Sequence, residues 1–220
     1  MQNQTANLEA EVRDAVEQGL DVQEKVRKLT LRMMSERSFD IKSLRQTADA
    51  VLRGARAGVD KELQQSYSQT GVAQARLKQA VTGLDVALAQ LAEAAKLAVQ
   101  EAAGRAQKYT NEDLDQARSD LKMLESMFIE TLHDSAWGAK EAVADIMRDL
   151  AAHTRTHGSA VGRQMKETLD VITHQIGAAG RAQVGAGLHL AKNTADTLRK
   201  IAAGVLSGMA DHVKPGQPKD

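Results

Sequence analysis

Apolar and small residues recur along the chain at intervals of three and four positions, the spacing of one face of an α-helix. The longest series begins at Ile41 and continues in register to Tyr109. It passes through several glycines, each of which weakens a helix by about 1 kcal/mol relative to alanine. The stretch 66–71 is the weakest, because it holds no strongly apolar residue. The pattern leaves open whether 41–109 is one helix.

Three further series predict three further helices. The first covers residues 5–37, and the next begins with the capping sequence Thr-Asn-Glu-Asp at 110–113. This helix ends near 157–159, where glycine ends one helix and serine caps another, and the last one continues to Val213. Because short connections force antiparallel packing, the sequence predicts an all-α fold, an elongated antiparallel bundle of three to four long amphipathic helices.

Composition supports this fold class. Aromatic residues make up 2% of the 220 residues, cysteine is absent, and the two prolines, Pro215 and Pro218, lie in the last six residues. Because the turns of sheet proteins recruit proline, the sequence disfavours an α/β enzyme and a β-sandwich. The lack of cysteine excludes disulfides and cysteine-based metal sites. We expect one elongated helical domain over 1–213 and a disordered tail over 214–220.

Charge and hydropathy narrow the class of function. The 29 basic and 29 acidic residues give a net charge of zero, whereas nucleic-acid binding normally needs a basic patch, so no nucleic-acid partner is expected. Residues 1–11 lack the basic and apolar regions of a secretory signal. The apolar stretch 201–210 is about half of the roughly 20 residues that a membrane-spanning helix needs. The expected location is cytoplasmic.

Two patterns invite a metal interpretation. Glu130 and His133 form one Glu-x-x-His pair, whereas di-iron carboxylate bundles need two such pairs and two further glutamates. His153 and His157 lie four residues apart, with Asp149 one turn earlier, but no glutamate follows His153 as in the zincin motif. We therefore predict no metal site, no cofactor and no catalytic residue, and a protein that is not an enzyme.

Small residues also recur at the spacing that allows helices to approach closely. The pairs are Gly54 and Gly58, Gly158 and Gly162, and Gly204 and Gly208. Glycine runs at 177–180 and 185–187 resemble phosphate loops, but no strand precedes them, so close helix packing or a bend is expected. Trp137 is the only tryptophan and stands among small residues, which favours a packing anchor with a partner for its indole N–H.

The stretch 188–213 is the strongest candidate for binding an apolar surface. An amphipathic helix of this kind lies at an apolar–water boundary, or it equally forms the last helix of a bundle. The polar face includes Lys192, Asp196 and Arg199. The surface-binding candidates on the apolar face are Leu188, Leu198, Val205, Leu206 and Met209.

The chain resembles phasins, the proteins that coat bacterial polyhydroxyalkanoate granules, in its long, alanine-rich amphipathic helices that lack proline and cysteine. Segments 121–128 (LKMLESMF), 162–169 (GRQMKETL) and 102–106 (AAGRA) also look like an uncharacterised bacterial all-helical family with no assigned function. The resemblance to phasins implies no catalytic residues. It leads us to expect a structural protein that associates with a granule or membrane surface through amphipathic helices, and that forms a homo-oligomer. The alternative is a soluble coiled-coil scaffold or adaptor that binds a protein partner.

Overall fold

The computed structural model describes residues 2–36, 41–65, 70–104, 111–137 and 139–182. Every regular element in these ranges is a helix, which confirms the all-α class. The helices are α1 (Gln2–Gln18), α2 (Val22–Ser35), α3 (Ile41–Gln65), α4 (Thr70–Gly104), α5 (Asn111–Trp137), α6 (Glu141–His157) and α7 (Ala160–Ala182). The described ranges thus hold more and shorter helices than the predicted three or four.

The first predicted helix is two helices, α1 and α2, that form a hairpin. Gly19 adopts a φ of 68°, a left-handed conformation that ends α1. Lys25 Nζ donates to Gln18 Oε1 over 2.9 Å, and Arg32 pairs with Glu11 farther from the turn. The order of these two pairs shows that α1 and α2 run antiparallel.

The second series, over 41–109, is not one straight helix. Its two parts, α3 and α4, pack against each other across a connection of four residues, so they too are antiparallel. Gly58 of α3 and Arg76 of α4 both contact Val16 of α1. Positions on either side of the connection therefore lie at the same height in the molecule.

The third hairpin has α5 as one arm and α6 followed by α7 as the other. Both α6 and α7 pack against α5. Ser159, which lies between them, donates its hydroxyl proton to Glu125 Oε1 in the middle of α5 over 3.0 Å. Because α6 follows α5 after three residues, it covers the C-terminal half of α5, and α7 covers the N-terminal half.

The three hairpins stack so that neighbouring layers place helices of the same direction side by side. Asp85 contacts Ala160, and farther along both helices Ala92 contacts Thr168, so α4 and α7 run in the same direction. Cross-helix contacts show that α1 runs in the same direction as α3, α2 in the same direction as α4, and α5 in the same direction as α3. The α3/α4 hairpin is therefore the central layer.

The central layer buries side chains on two sides, and many of them are small. A Cβ at Gly58 would lie 2.8 Å from Val16 Cβ and 2.9 Å from the carbonyl oxygen of Arg13, and one at Gly54 would overlap the carbonyl oxygen of Glu9. The prediction that this glycine pair allows close helix packing is confirmed. Buried residues of the central layer include Leu44, Ala48, Val51, Leu52, Ala55, Leu77, Ala80, Leu84, Leu88, Leu91 and Ala92.

Several predicted features lie outside the described residues. The glycine run 177–180 is within α7, whereas the run 185–187, the tail 214–220 and the stretch 188–213 are not in the described ranges. The surface-binding candidates of that stretch are Leu188, Leu198, Val205, Leu206 and Met209. Among the helices described, none combines the length and the apolar character needed to cross a bilayer.

Candidate functional site

The predicted Glu-x-x-His pair points away from the core. Glu130 is exposed and accepts from Arg45 Nη2 over 2.6 Å, and exposed His133 lies edge-on to the Trp137 ring at 6.3 Å between centroids. Across the part of the chain that the structure describes, no three His, Cys, Asp or Glu side chains converge as metal ligands would. The two residues belong to the surface of α5.

The histidines of α6 stack on each other in solvent. The rings of His153 and His157 are 4.3 Å apart at an angle of 24°, and both side chains are exposed. His157 Nδ1 lies within hydrogen-bond distance, 3.2 Å, of the carbonyl oxygen of His153. The pair therefore lies in the last turns of α6, which ends at His157.

Trp137 is not the packing anchor that the sequence suggested. It is the last residue of α5, and 83% of its surface is exposed. Consecutive helix positions lie about 100° apart, and the preceding Ala136 occupies the buried face together with Leu132. The indole therefore points to solvent at the end of the helix.

Two other large apolar side chains are exposed close to hairpin turns. Leu20 lies in the α1–α2 turn and is 69% exposed, and Val72 lies in the first turn of α4 and is 46% exposed. Together with Trp137, they give each of the three hairpins an exposed apolar residue. We call the end of the bundle that carries Leu20, Val72 and Trp137 the turn end.

The position of Leu20 and Val72 at a common end follows from Arg76. Its Nη1 donates to the carbonyl oxygens of Val16 over 3.3 Å and Glu17 over 3.0 Å, in the last turn of α1. Leu20 follows that turn directly, and Val72 precedes Arg76 by one helical turn of α4. Both residues therefore lie beyond Arg76 in the same direction.

The position of Trp137 at this end follows from Arg56. Its Nη1 donates to the carbonyl oxygen of Ser135 over 2.6 Å, two residues before the end of α5. Half a turn later in α3, Gly58 contacts Val16 in the last turn of α1. The C-terminal ends of α1 and α5 thus lie at the same height on opposite sides of the central layer.

Both arginines place a cation at a helix C-terminus, where the free carbonyl groups concentrate partial negative charge. Arg56 serves α5 and Arg76 serves α1, and both are half-buried. These contacts could not be predicted from the sequence. No spacing along the chain indicates that the central hairpin reaches the ends of the two outer ones.

A second polar arrangement lies at the start of α7. Asp85 of α4 accepts the N–H of Ala160 over 2.7 Å at Oδ2 and the N–H of Val161 over 2.9 Å at Oδ1. Ser159 accepts the N–H of Gly162 over 2.8 Å, which confirms its predicted capping role. The carboxylate of Asp85 thus binds the positive end of a helix dipole from a neighbouring layer.

Burial raises the pKa of Asp85 above its ordinary value. The two backbone N–H groups and the cation of Arg163 act in the opposite direction and lower the pKa, whereas the neighbouring Glu125 raises it further. Removal of the carboxylate from water therefore outweighs the hydrogen bonds that stabilise its charged form. The fold therefore keeps the Asp85 carboxylate buried, although its removal from water costs free energy.

A family model described as a family of unknown function (DUF6781) matches residues 1–215. No curated protein and no solved structure matches the chain. The matched range includes all seven described helices and the stretch 188–213 that the sequence analysis singled out.

Proposed function

The chain belongs to this family of unknown function, and from its geometry we propose a non-enzymatic structural protein that associates with the surface of a granule or membrane. The turn end is the observation that carries the proposal. Peripheral attachment in the cytoplasm and self-association complete it, in keeping with the resemblance to phasins.

An apolar surface fits the side chains at the turn end. Full burial of a large apolar side chain is worth about 1.5–3 kcal/mol, and Leu20, Val72 and Trp137 each leave much of their surface in water. Tryptophan is enriched at membrane–water interfaces, because its ring is apolar and its N–H is polar. Transfer of these three side chains into an apolar phase would gain part of the free energy that full burial provides.

The charges near the turn end flank the apolar tips. Residues 70–75 carry no charge before Arg76. Asp21 follows Leu20, and exposed Lys140 follows Trp137 after two residues. An interfacial segment needs polar groups beside its apolar side chains, so that these groups stay in water while the tips enter the apolar phase.

The stretch 188–213 supplies a second mode of attachment in this proposal. Its apolar face, with the five candidates from Leu188 to Met209, would lie in the plane of the surface. The turn end would instead contact the surface with the tips of its hairpins. The two modes make different demands on the chain and are tested by different variants.

Sedimentation with polyhydroxybutyrate granules and with phosphatidylcholine vesicles tests the proposal. The double variant Leu20→Asp, Val72→Asp should lose most of its binding if the turn end attaches, with little change in Tm because both residues are exposed. Val205→Asp with Met209→Asp tests the other mode in the same assay. No sedimentation of the natural chain with either surface would refute the proposal.

Leu97→Asp is the matched control for the turn-end variant. Leu97 is also a large exposed residue of α4, at 40% exposure, but it lies 25 positions from Val72, roughly 38 Å along the helix. Its binding should equal that of the natural chain. Trp137 adds a direct signal, because its emission should shift to the blue when the indole leaves water.

The alternative function, a scaffold or adaptor for a protein partner, is favoured by a different observation. Met123 on α5 and Leu97 on α4 are exposed on helices rather than at turns, and methionine adapts readily to partner surfaces. In that case, Met123→Asp and Leu97→Asp should weaken capture of the partner. The turn-end variant should then leave partner binding unchanged.

A further inference from the structure

Helix α7 ends far from the turn end of the bundle. It runs beside α4 in the same direction, and the Thr168 hydroxyl donates to the carbonyl oxygen of Ala92 over 3.0 Å. From this contact α4 continues for 12 residues to Gly104, and α7 continues for 14 residues to Ala182. Both helices therefore end at nearly the same height. We call this end of the bundle, marked by Gly104 and Ala182, the far end.

The length of α4 separates the far end from the turn end. Val72 lies 32 residues before Gly104, which corresponds to roughly 48 Å of helix. Packing holds α7 against α4, because Asp85 accepts two backbone N–H groups of α7 and Ile172 of α7 is fully buried. The chain therefore leaves α7 at the far end, one bundle length from the three exposed side chains of the turn end.

The connection between α7 and the stretch 188–213 is too short to return to the turn end. Five residues, 183–187, separate Ala182 from Leu188. Even when fully extended, the six Cα–Cα steps between them span at most about 22 Å. That is less than half of the roughly 48 Å between the two ends. When the bundle stands on its turn end, a helix that begins at Leu188 and lies flat in a surface must therefore use a different surface.

The sides of the bundle carry charges that disfavour a molecule lying on its side. Arg45 of α3 pairs with Glu130 of α5 on one side, and Lys96 of α4 pairs with Glu167 of α7 on the other. Both glutamate side chains are more than half exposed. Removing two charges from water costs more than their pairing returns, unless further hydrogen bonds compensate. An end-on molecule keeps these ion pairs in water.

The turn end suits the headgroup region of a phospholipid layer. Trp137 is 83% exposed, and tryptophan is enriched where a membrane meets water. The exposed charges beside the apolar side chains are Asp21 and Lys140, which have opposite signs. The stretch 188–213 also contains both acidic and basic residues. Neither attachment site therefore has the cluster of basic residues that recognises anionic lipid, and the matching surface is a phospholipid without net charge.

We infer that one molecule bridges two phospholipid surfaces, with the turn end in one surface and the stretch 188–213 in the other. The inference rests on the proposed function, because it needs both modes of attachment. The α4–α7 pair is the spacer between the two surfaces. The gap between them should measure from about 48 Å to about 70 Å, the larger value with 183–187 fully extended.

Clustering of phosphatidylcholine vesicles by the full-length chain tests this inference. Light scattering measures the diameter of the particles, and sedimentation measures the amount of bound protein in the same samples. The natural chain should increase the mean diameter several-fold, and electron cryomicroscopy of the clusters should show the expected gap. A gap of only one or two helix widths, about 10–20 Å, would mean that the molecules lie flat and would overturn the inference.

Two double variants each remove one attachment site. Leu20→Asp, Val72→Asp changes the turn end, and Val205→Asp, Met209→Asp changes the stretch 188–213. The protein concentration is adjusted until the same amount of each chain is bound, and at that amount neither variant should cluster vesicles. A mixture of the two should not cluster them either, because no molecule in it has both sites. Leu97→Asp is the matched control and should cluster vesicles as the natural chain does.

The outcomes separate this inference from the proposed function. Clustering by either double variant, or by their mixture, would mean that vesicles are joined by contacts between molecules, and the inference would be wrong. A double variant that binds no vesicles at any concentration would show that one site does all the binding, which also overturns it. Natural chain that binds vesicles or granules without clustering vesicles refutes the inference alone. Natural chain that binds neither refutes the proposed function.

Circular dichroism shows whether each variant keeps the helices of the natural chain. If an aspartate variant loses them, the corresponding serine variant replaces it in the same assay. Val205→Ser, Met209→Ser and Leu20→Ser, Val72→Ser remove apolar surface without adding a charge, so they should reduce clustering in the same way, by a smaller factor. Serine variants that cluster vesicles as fully as the natural chain would contradict the inference.

Discussion

The two outer layers are attached to the central hairpin in different ways. At α1, Gly54 and Gly58 bring the backbones of two helices together without intervening side chains. At α7, the Asp85 carboxylate of α4 accepts two backbone N–H groups, and the Thr168 hydroxyl of α7 donates to the backbone carbonyl of Ala92 in α4. The first contact depends on the close approach of two backbones, whereas the second includes hydrogen bonds between a side chain of one helix and the backbone of the other.

The largest effect should come from breaking the shape contact. Gly54→Ala places a Cβ on the carbonyl oxygen of Glu9, a backbone atom that cannot rotate away. We expect α1 to separate from α3 at a cost of about 2–3 kcal/mol, in the range of overpacked cores, which is read as a lower Tm in thermal unfolding.

Gly71→Ala is its control. Gly71 lies in the first turn of α4, with no atom near a Cβ, so alanine should stabilise the helix by up to about 1 kcal/mol. Equal losses of Tm at both positions would mean that the loss at Gly54 reflects something other than the close approach to α1.

A smaller effect is expected from breaking the polar contact. Asp85→Ala leaves the N–H groups of Ala160 and Val161 without their acceptor, at a cost of about 1–2 kcal/mol, as for other lost helix caps. Hydrogen exchange should accelerate in the first turns of α7 and remain slow in α1. Equal acceleration in both helices would contradict separate attachment.

A similar or slightly smaller cost is expected at Gly158, between α6 and α7. Gly158→Ala forces a side chain into a positive φ without any steric contact, and should destabilise the C-terminal end of α6 by about 1 kcal/mol. The change is measured by chemical denaturation, and an increase in stability would show that the positive φ is not maintained in solution.

The smallest effect concerns the histidine pair. Replacing His153 and His157 by alanine should change stability by less than about 0.5 kcal/mol, because both side chains are exposed. A zinc-dependent rise in Tm that disappears in this variant would show a metal site in place of a local end-of-helix contact.

The helical class and many helix faces could be predicted from the sequence, because a spacing of three and four reports which side of a helix is buried. The break at Gly19 could not be predicted, since the apolar residues of α1 and α2 keep the same helical spacing across it and are buried in one core. The apolar spacing also continues past Trp137 into α6, so the end of α5 could not be predicted either. A periodic pattern shows which face of a helix is buried, but it does not show where the chain reverses direction.

One missed site did leave a signal. Asp85 is the only charged residue between positions 79 and 92, a run of small and apolar residues on the central layer. A single carboxylate in such a run predicts a buried acceptor with a specific donor. Arg56 left no comparable signal, because it belongs to a stretch in which charges are common. Arg76 left none either, because the uncharged stretch before it is largely polar and does not predict a buried partner.

The three turns that carry Leu20, Val72 and Trp137 all lie at the turn end, and this arrangement would set the thickness of a surface coat formed by the protein. If the turn end contacts the surface, the hairpins stand upright, and each molecule occupies the cross-section of three layers of two helices. With helices about 10 Å wide, that footprint is roughly 20 by 30 Å. The 35 residues of α4 lying flat would extend over about 52 Å. An upright layer would therefore be dense and thick, and coat thickness on a granule, measured by electron microscopy, would tell upright molecules from flat ones.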